Sequence, residues 1–105
     1  MSNVAPLNLL SAVVVLDSSL EGWSLLDPSD GGLRVFRRPV SFVRAFSVPP
    51  IVQLAIVGLD VSKDDNVRIR VRSADITENG FTLQAETWLY TKIWSVEVSW
   101  MAIGS

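Results

Sequence analysis

The sequence predicts an all-β domain, a sandwich or barrel of short antiparallel strands, on three observations. Val67 to Arg72 reads VRIRVR, an unbroken alternation of apolar and charged residues, and Trp94, Val96, Val98 and Trp100 alternate with Ser95, Glu97 and Ser99 near the C-terminus. Thr77-Glu78-Asn79-Gly80 carries the Asn-Gly pair that reverses a chain between two strands. No segment has a sustained apolar stripe at helical spacing with caps at both ends. With 105 residues, 49% of them hydrophobic, the chain can fill one core, so a single domain over residues 1–105 is expected.

The elements follow in order. Leu7 to Val14 permits a helical reading, but Val13-Val14-Val15 is β-branched and runs into the turn-like Asp17-Ser18-Ser19, which predicts a strand. Trp23 to Leu26 is a second short apolar piece, expected as a strand or sheet edge. Asp27-Pro28-Ser29-Asp30-Gly31-Gly32 concentrates turn formers and predicts an exposed loop able to carry function. Val40 to Phe46 resumes as strand, Pro49-Pro50 breaks it, and Ile51 to Leu59 is nearly all apolar, as expected of a strand buried on both faces. Asp60 to Asn66 is a polar connection. In the hairpin that follows, Val67, Ile69 and Val71 share one face and Arg68, Arg70 and Arg72 the other. Phe81, Leu83 and Ala85 point inward and Thr82, Gln84 and Glu86 outward. Trp88 to Lys92 turns the corner into the last strand.

Composition narrows function. The net charge is −2, from 9 basic and 11 acidic residues without long runs, which withholds the field that draws in nucleic acid. His and Cys are absent, which removes Ser-His-Asp and Cys-His nucleophiles, imidazole or thiolate zinc sites and disulfides. The stretches Ser2 to Leu16 and Ala45 to Leu59 are too short and too polar to span a bilayer, and no Lys or Arg precedes the first as a signal peptide requires. Asp60, Asp64, Asp65 and Asn66 lack the ligand spacing and turn glycine of a calcium loop and are expected to form a solvated turn, with no metal cofactor. No pair of carboxylates lies in an apolar setting that would raise a pKa, so no enzyme is expected.

The chemistry-bearing features are therefore an arginine stripe and a set of tryptophans. Arg68, Arg70 and Arg72 would repel one another unless Glu86 and Glu97 pair with them across strands; alternatively one Arg stays free as a donor fork for ligand hydroxyls, or the stripe meets a second subunit. Trp88 falls where the alternation points outward and is exposed by parity, whereas Trp94 and Trp100 share the parity of Val96 and Val98 and are expected in the core. An exposed indole beside polar groups suits a sugar ring or an interface.

In this order the residues FSVPPIV, LD, NVR, IT, GF, TW, TK and VSWMA, spread from Phe46 to Ala102, resemble the H-type lectin domain of snail agglutinins and discoidins, the likeness extending over about 42–103. The resemblance implies a six-stranded antiparallel β-sandwich that forms a homotrimer and binds terminal galactose or N-acetylgalactosamine between protomers, without catalysis. Residue by residue, it implies Arg68 as donor to sugar hydroxyls, Trp88 as the aromatic packed on the sugar from the adjoining subunit, and Asp30, flanked by Ser29 and Gly31, as acidic acceptor. The family usually has His after the Trp; here Leu89 stands there, with Tyr90 beside it as a substitute donor. Without cysteine a covalent hexamer is excluded, while a non-covalent dimer of trimers stays open. Acting as a lectin implies an extracellular or surface-exposed setting. Leu89 also favours a second reading, a trimeric assembly or attachment domain of a larger particle or fibre that has lost sugar binding.

Overall fold

The computed structural model describes residues 7–105; the part of the Ser2 to Leu16 stretch up to residue 6 lies outside them. Six strands follow one another, β1 (Asn8–Asp17), β2 (Arg34–Ser41), β3 (Ile51–Val61), β4 (Arg70–Thr77), β5 (Gly80–Thr87) and β6 (Ile93–Gly104). They form two three-stranded antiparallel sheets, ordered β1-β6-β3 and β2-β5-β4. Period-two burial builds the core between them: Leu83 and Ala85 from β5 face Val96, Val98, Trp100 and Ala102 from β6, joined by Leu16, Phe36 and Phe81. Phe42 completes an aromatic cluster, 5.2 Å from Phe46, 6.0 Å from Phe81 and 5.7 Å from Trp100 between ring centroids.

The hairpin β4–β5 closes where Asn79-Gly80 predicted it, with Thr77 opposite Gly80. A Cβ at Gly80 would lie 2.2 Å from the Val40 carbonyl oxygen, so only glycine lets β2 approach this turn. The strand is shorter than its alternation suggests. The ladder starts at Arg70, because the Arg68 carbonyl accepts from the Thr87 hydroxyl instead of joining a strand partner, and Val67 is exposed rather than inward.

Five further expectations are corrected. Trp23 to Leu26 is a packed loop, not a strand: Trp23 N–H donates to the Leu20 carbonyl in a turn, its indole N–H donates to the Ile93 carbonyl at 3.0 Å, and Leu25 is fully buried. β2 begins at Arg34 and ends at Ser41; Phe42 and Phe46 are aromatic anchors of the following irregular segment, whose N–H groups bond Asn79 and Glu78 carbonyls. Ile51 and Val57 on β3 are exposed, so that strand is not covered on both faces within the chain.

Trp94 is 50% exposed, against its predicted place in the core. Ser95 pairs with Asp60 and Ile93 with Val61, leaving Trp94 as the extra residue of a bulge that flips the parity of β6. Glu97, expected to pair with the arginine stripe, belongs to the other sheet and packs against Gly58. Glu86 pairs with Arg70 and Arg72 of the stripe.

Candidate functional site

The predicted site residues fall in two loops and one strand end. The loop before β2 is internally bonded: Gly31 N–H donates to the Pro28 carbonyl at 2.8 Å, and Asp27 and Asp30 carboxylates accept from Ser29 and Gly32 N–H at 3.2 and 2.9 Å. Gly31 adopts φ +76°, which a side chain would strain. Its carbonyl accepts from Leu89 N–H at 2.9 Å, and its Cα side faces the Tyr90 ring. Gly31 is thus brought to Leu89 and Tyr90, with Asp30 and Ser29 next to it in the loop, and Leu89 and Tyr90 are both exposed. Leu89 takes φ +54°, an uncommon conformation for a residue with a branched side chain.

Arg34 holds that conformation in place. Its guanidinium donates to the carbonyls of Leu25 at 3.2 Å and of Leu89 and Thr91, both at 2.9 Å, so one side chain ties the loop before β2 to the loop before β6. Burial lowers the Arg34 pKa from its usual value, opposed by the charges of Asp27 and Asp30. Sequence reasoning passed over Arg34; the available signal was that it shares the inward parity of Phe36 on β2.

Arg68 sits just outside the β4 ladder. Nη1 donates to the Thr91 hydroxyl at 3.1 Å and lies 3.5 Å from an Asp65 carboxylate oxygen, and the side chain is only 19% exposed. Thr91 is fully buried and passes its own hydroxyl proton to the Asn66 carbonyl at 2.6 Å. A guanidinium held this way keeps its remaining N–H groups in a fixed direction, as a donor for hydroxyl oxygens requires. Trp88 is half-buried, with Arg70 over its ring at 5.1 Å from the centroid.

Glu86 accounts for the rest of the stripe. One oxygen accepts from Arg70 Nε at 2.7 Å and from Arg72 Nε at 3.2 Å, while the Glu86 side chain is only 8% exposed. Among the described residues no group of three or more His, Cys, Asp or Glu is arranged to hold a metal ion.

The sequence profile of the H-type lectin domain matches residues 37–103. The chain belongs to the H-type lectin domain family. Two structures of discoidin II from Dictyostelium discoideum, recombinant and wild type, carry the same fold at TM-scores of 0.79 and 0.80, with 23% and 24% identity over 98% and 99% of this chain. This domain spans 39% of each discoidin II chain. A protein of Fuscovulum blasticum named "ATP synthase subunits region ORF 7" is 34% identical over 74 residues, covering 70% of this chain and 64% of that protein. The profile begins five residues ahead of the likeness read from sequence because it takes in the second half of β2, where Arg37, Arg38 and Pro39 obscured the strand.

Proposed function

We propose that this H-type lectin domain recognises terminal galactose or N-acetylgalactosamine at sites shared between protomers of a homotrimer, acting by recognition rather than catalysis. The observation that carries the reading is Arg68, held by Thr91 and Asp65 so that its free N–H groups are aimed before a ligand arrives. Asp30 supports it: Oδ1 is taken by Gly32 N–H, and no protein donor among the described residues occupies Oδ2, which suits a sugar hydroxyl. Trp88 offers the apolar surface for the sugar's C–H face from the adjoining subunit.

The trimer is supported by the outer face of β1-β6-β3. Leu9, Ile103 and Ile51 form one row across it, Val13, Ser99 and Ala55 another, and Leu9, Val13, Val15 and Ile51 are each more than half exposed in the single chain. An apolar surface of this kind is what assembly covers. Single sugar sites are weak, and three facing one way raise avidity by roughly 10²–10⁴ where the geometry allows it.

The test is calorimetric titration of galactose and N-acetylgalactosamine into wild type, Arg68→Ala and Leu89→His, with trimer mass confirmed for each. Arg68→Ala should lose about 1.5–3 kcal/mol of binding, enough to erase a weak monovalent site. Leu89→His should strengthen galactose binding, because it restores a donor beside Trp88. A folded Arg68→Ala trimer that binds like wild type would move the site elsewhere. Failure of wild type to bind any glycan favours the assembly or attachment role, with Leu89 as the residue that marks the loss.

A further inference from the structure

The outer face of β2-β5-β4 carries more positive charge than its structure needs. Cross-strand register sets Val35, Glu86 and Arg70 in one row and Arg37, Gln84 and Arg72 in the next. Two guanidiniums, those of Arg70 and Arg72, therefore pair with the one carboxylate of Glu86, only 8% of whose side chain is exposed, and Arg37 stands in the next row across β5. Its bonds use Nε of Arg70 and of Arg72, which leaves the terminal NH₂ groups of both without an acceptor among the described residues. Arg37 is exposed and makes no ion pair within 4 Å among the described residues; Glu21 lines a cleft with it, and Asp75 stands at the bulge beyond Ala74.

A face of this kind suits a small anion. A guanidinium fork matches the planar pair of oxygens on a carboxylate, or two oxygens of a sulfate ester, and two forks from adjacent rows converge on one group. A polyanion or an anionic membrane fits poorly: the chain's net charge is −2, and the opposite outer face carries Asp17, Asp60 and Glu97 on its strands with no Lys or Arg. The face adjoins the candidate sugar site directly. Arg70 covers Trp88, and Arg72 lies two residues further along β4, about 6.8 Å on at the rise of an extended strand.

We propose that Arg37, Arg70 and Arg72 form an anion subsite that takes a carboxylate or sulfate on the sugar next to the terminal one, so that the domain selects acidic saccharides. The subsite rests on the carbohydrate-binding reading above and names a ligand class for it. Glu86 aligns the two β4 forks through Nε, and Arg37 closes the subsite from β2.

The experiment titrates a neutral galactose disaccharide, the same disaccharide with one sulfate ester on its second sugar, and the same with a carboxylate there, into wild type and Arg37→Gln/Arg72→Gln. Inorganic sulfate is the control for a bare ion. Thermal melting and trimer mass verify that the double variant folds, as expected for two exposed side chains. At least one acidic disaccharide should bind wild type about tenfold tighter than the neutral one, the gain disappearing in the double variant and shrinking in about 0.5 M NaCl. Which of the two gains more tells whether the group is sulfate or carboxylate. Equal binding of all three disaccharides, or a gain that survives the double substitution, overturns the subsite and leaves the neutral-sugar reading standing. Acidic binding that needs Arg37 and Arg72 without any neutral binding upholds the subsite and overturns the galactose reading. Binding of no saccharide at all overturns both.

Discussion

The two sheets share one core but turn opposite chemistries to solvent. On β1-β6-β3 the outward positions are Leu9, Val13, Val15, Ile51, Met101 and small residues, with carboxylates confined to the Asp17 and Asp60 end and to Glu97. On β2-β5-β4 they include Arg37, Arg70 and Arg72 around a buried glutamate, with Val35, Pro39, Thr82, Gln84 and Ala74 between them. Dispersed apolar side chains stabilise only when another surface covers them, whereas guanidiniums stay hydrated and charged at the surface, where a ligand can reach them. Under the proposed function, the first face is the one that assembly would cover and the second the one left to a ligand.

The largest expected effect comes from charging the first face. Val13→Asp places a carboxylate between Ser11 and Val15 on the outer side of β1, 54% exposed in the single chain and buried if three copies meet there. The substituted protein should keep the β-rich circular dichroism of wild type but sediment as a monomer. A trimer of wild-type mass at micromolar concentration would remove this face from the interface.

Next in size is Glu86→Gln on the second face. Gln keeps an acceptor but not the charge that offsets Arg70 and Arg72, so stability should fall by about 1–2 kcal/mol, discounted because both arginines are half exposed. Urea denaturation reads it. An unchanged midpoint would mean that the arginines separate without cost.

The comparison also shows what was legible in the sequence. The β4–β5 part of the arginine face is legible, because Val67 to Arg72 alternates and Asn79-Gly80 fixes the hairpin that pairs Arg70 with Glu86; Arg37 is not, because Arg37, Arg38 and Pro39 hide the strand that carries it. The apolar face was partly legible: Ile51 to Leu59 was correctly a strand, but an apolar run does not say whether its second face is covered by this chain or by another. Trp94 was misplaced because a bulge opposite Asp60 and Val61 shifts parity, and nothing in the local residue types announces a bulge. In the candidate site, Arg68 is suggested by the family likeness alone, while its support by buried Thr91 and the Arg34 tie depend on pairs 23 and 55 to 57 residues apart. Such contacts exist only after the sheets have packed.

The smallest expected effect lies at the acidic end of the first face. Ser19 donates to Asp17 through its hydroxyl and its N–H, which lowers the Asp17 pKa below the usual 3.8. The folded pKa is the depressed one, so the contribution is fully present above about 3.8 and fades as pH falls through the folded value. Asp17→Asn should melt slightly below wild type at pH 7, and the two curves should converge below pH 3.8. A difference that widens on acidification would reverse the sign of this argument.

The central claim is that Arg68 of one protomer and Trp88 of the next build one sugar site, and subunit mixing tests it most directly. Arg68→Ala and Trp88→Ala trimers should each fail to bind galactose or N-acetylgalactosamine. Unfolded and refolded together, with mixed trimers verified by native mass spectrometry, they should regain about one site in four, the fraction expected for random mixing in a symmetric ring. Mixed trimers that remain as inactive as their parents would contradict a site shared between protomers.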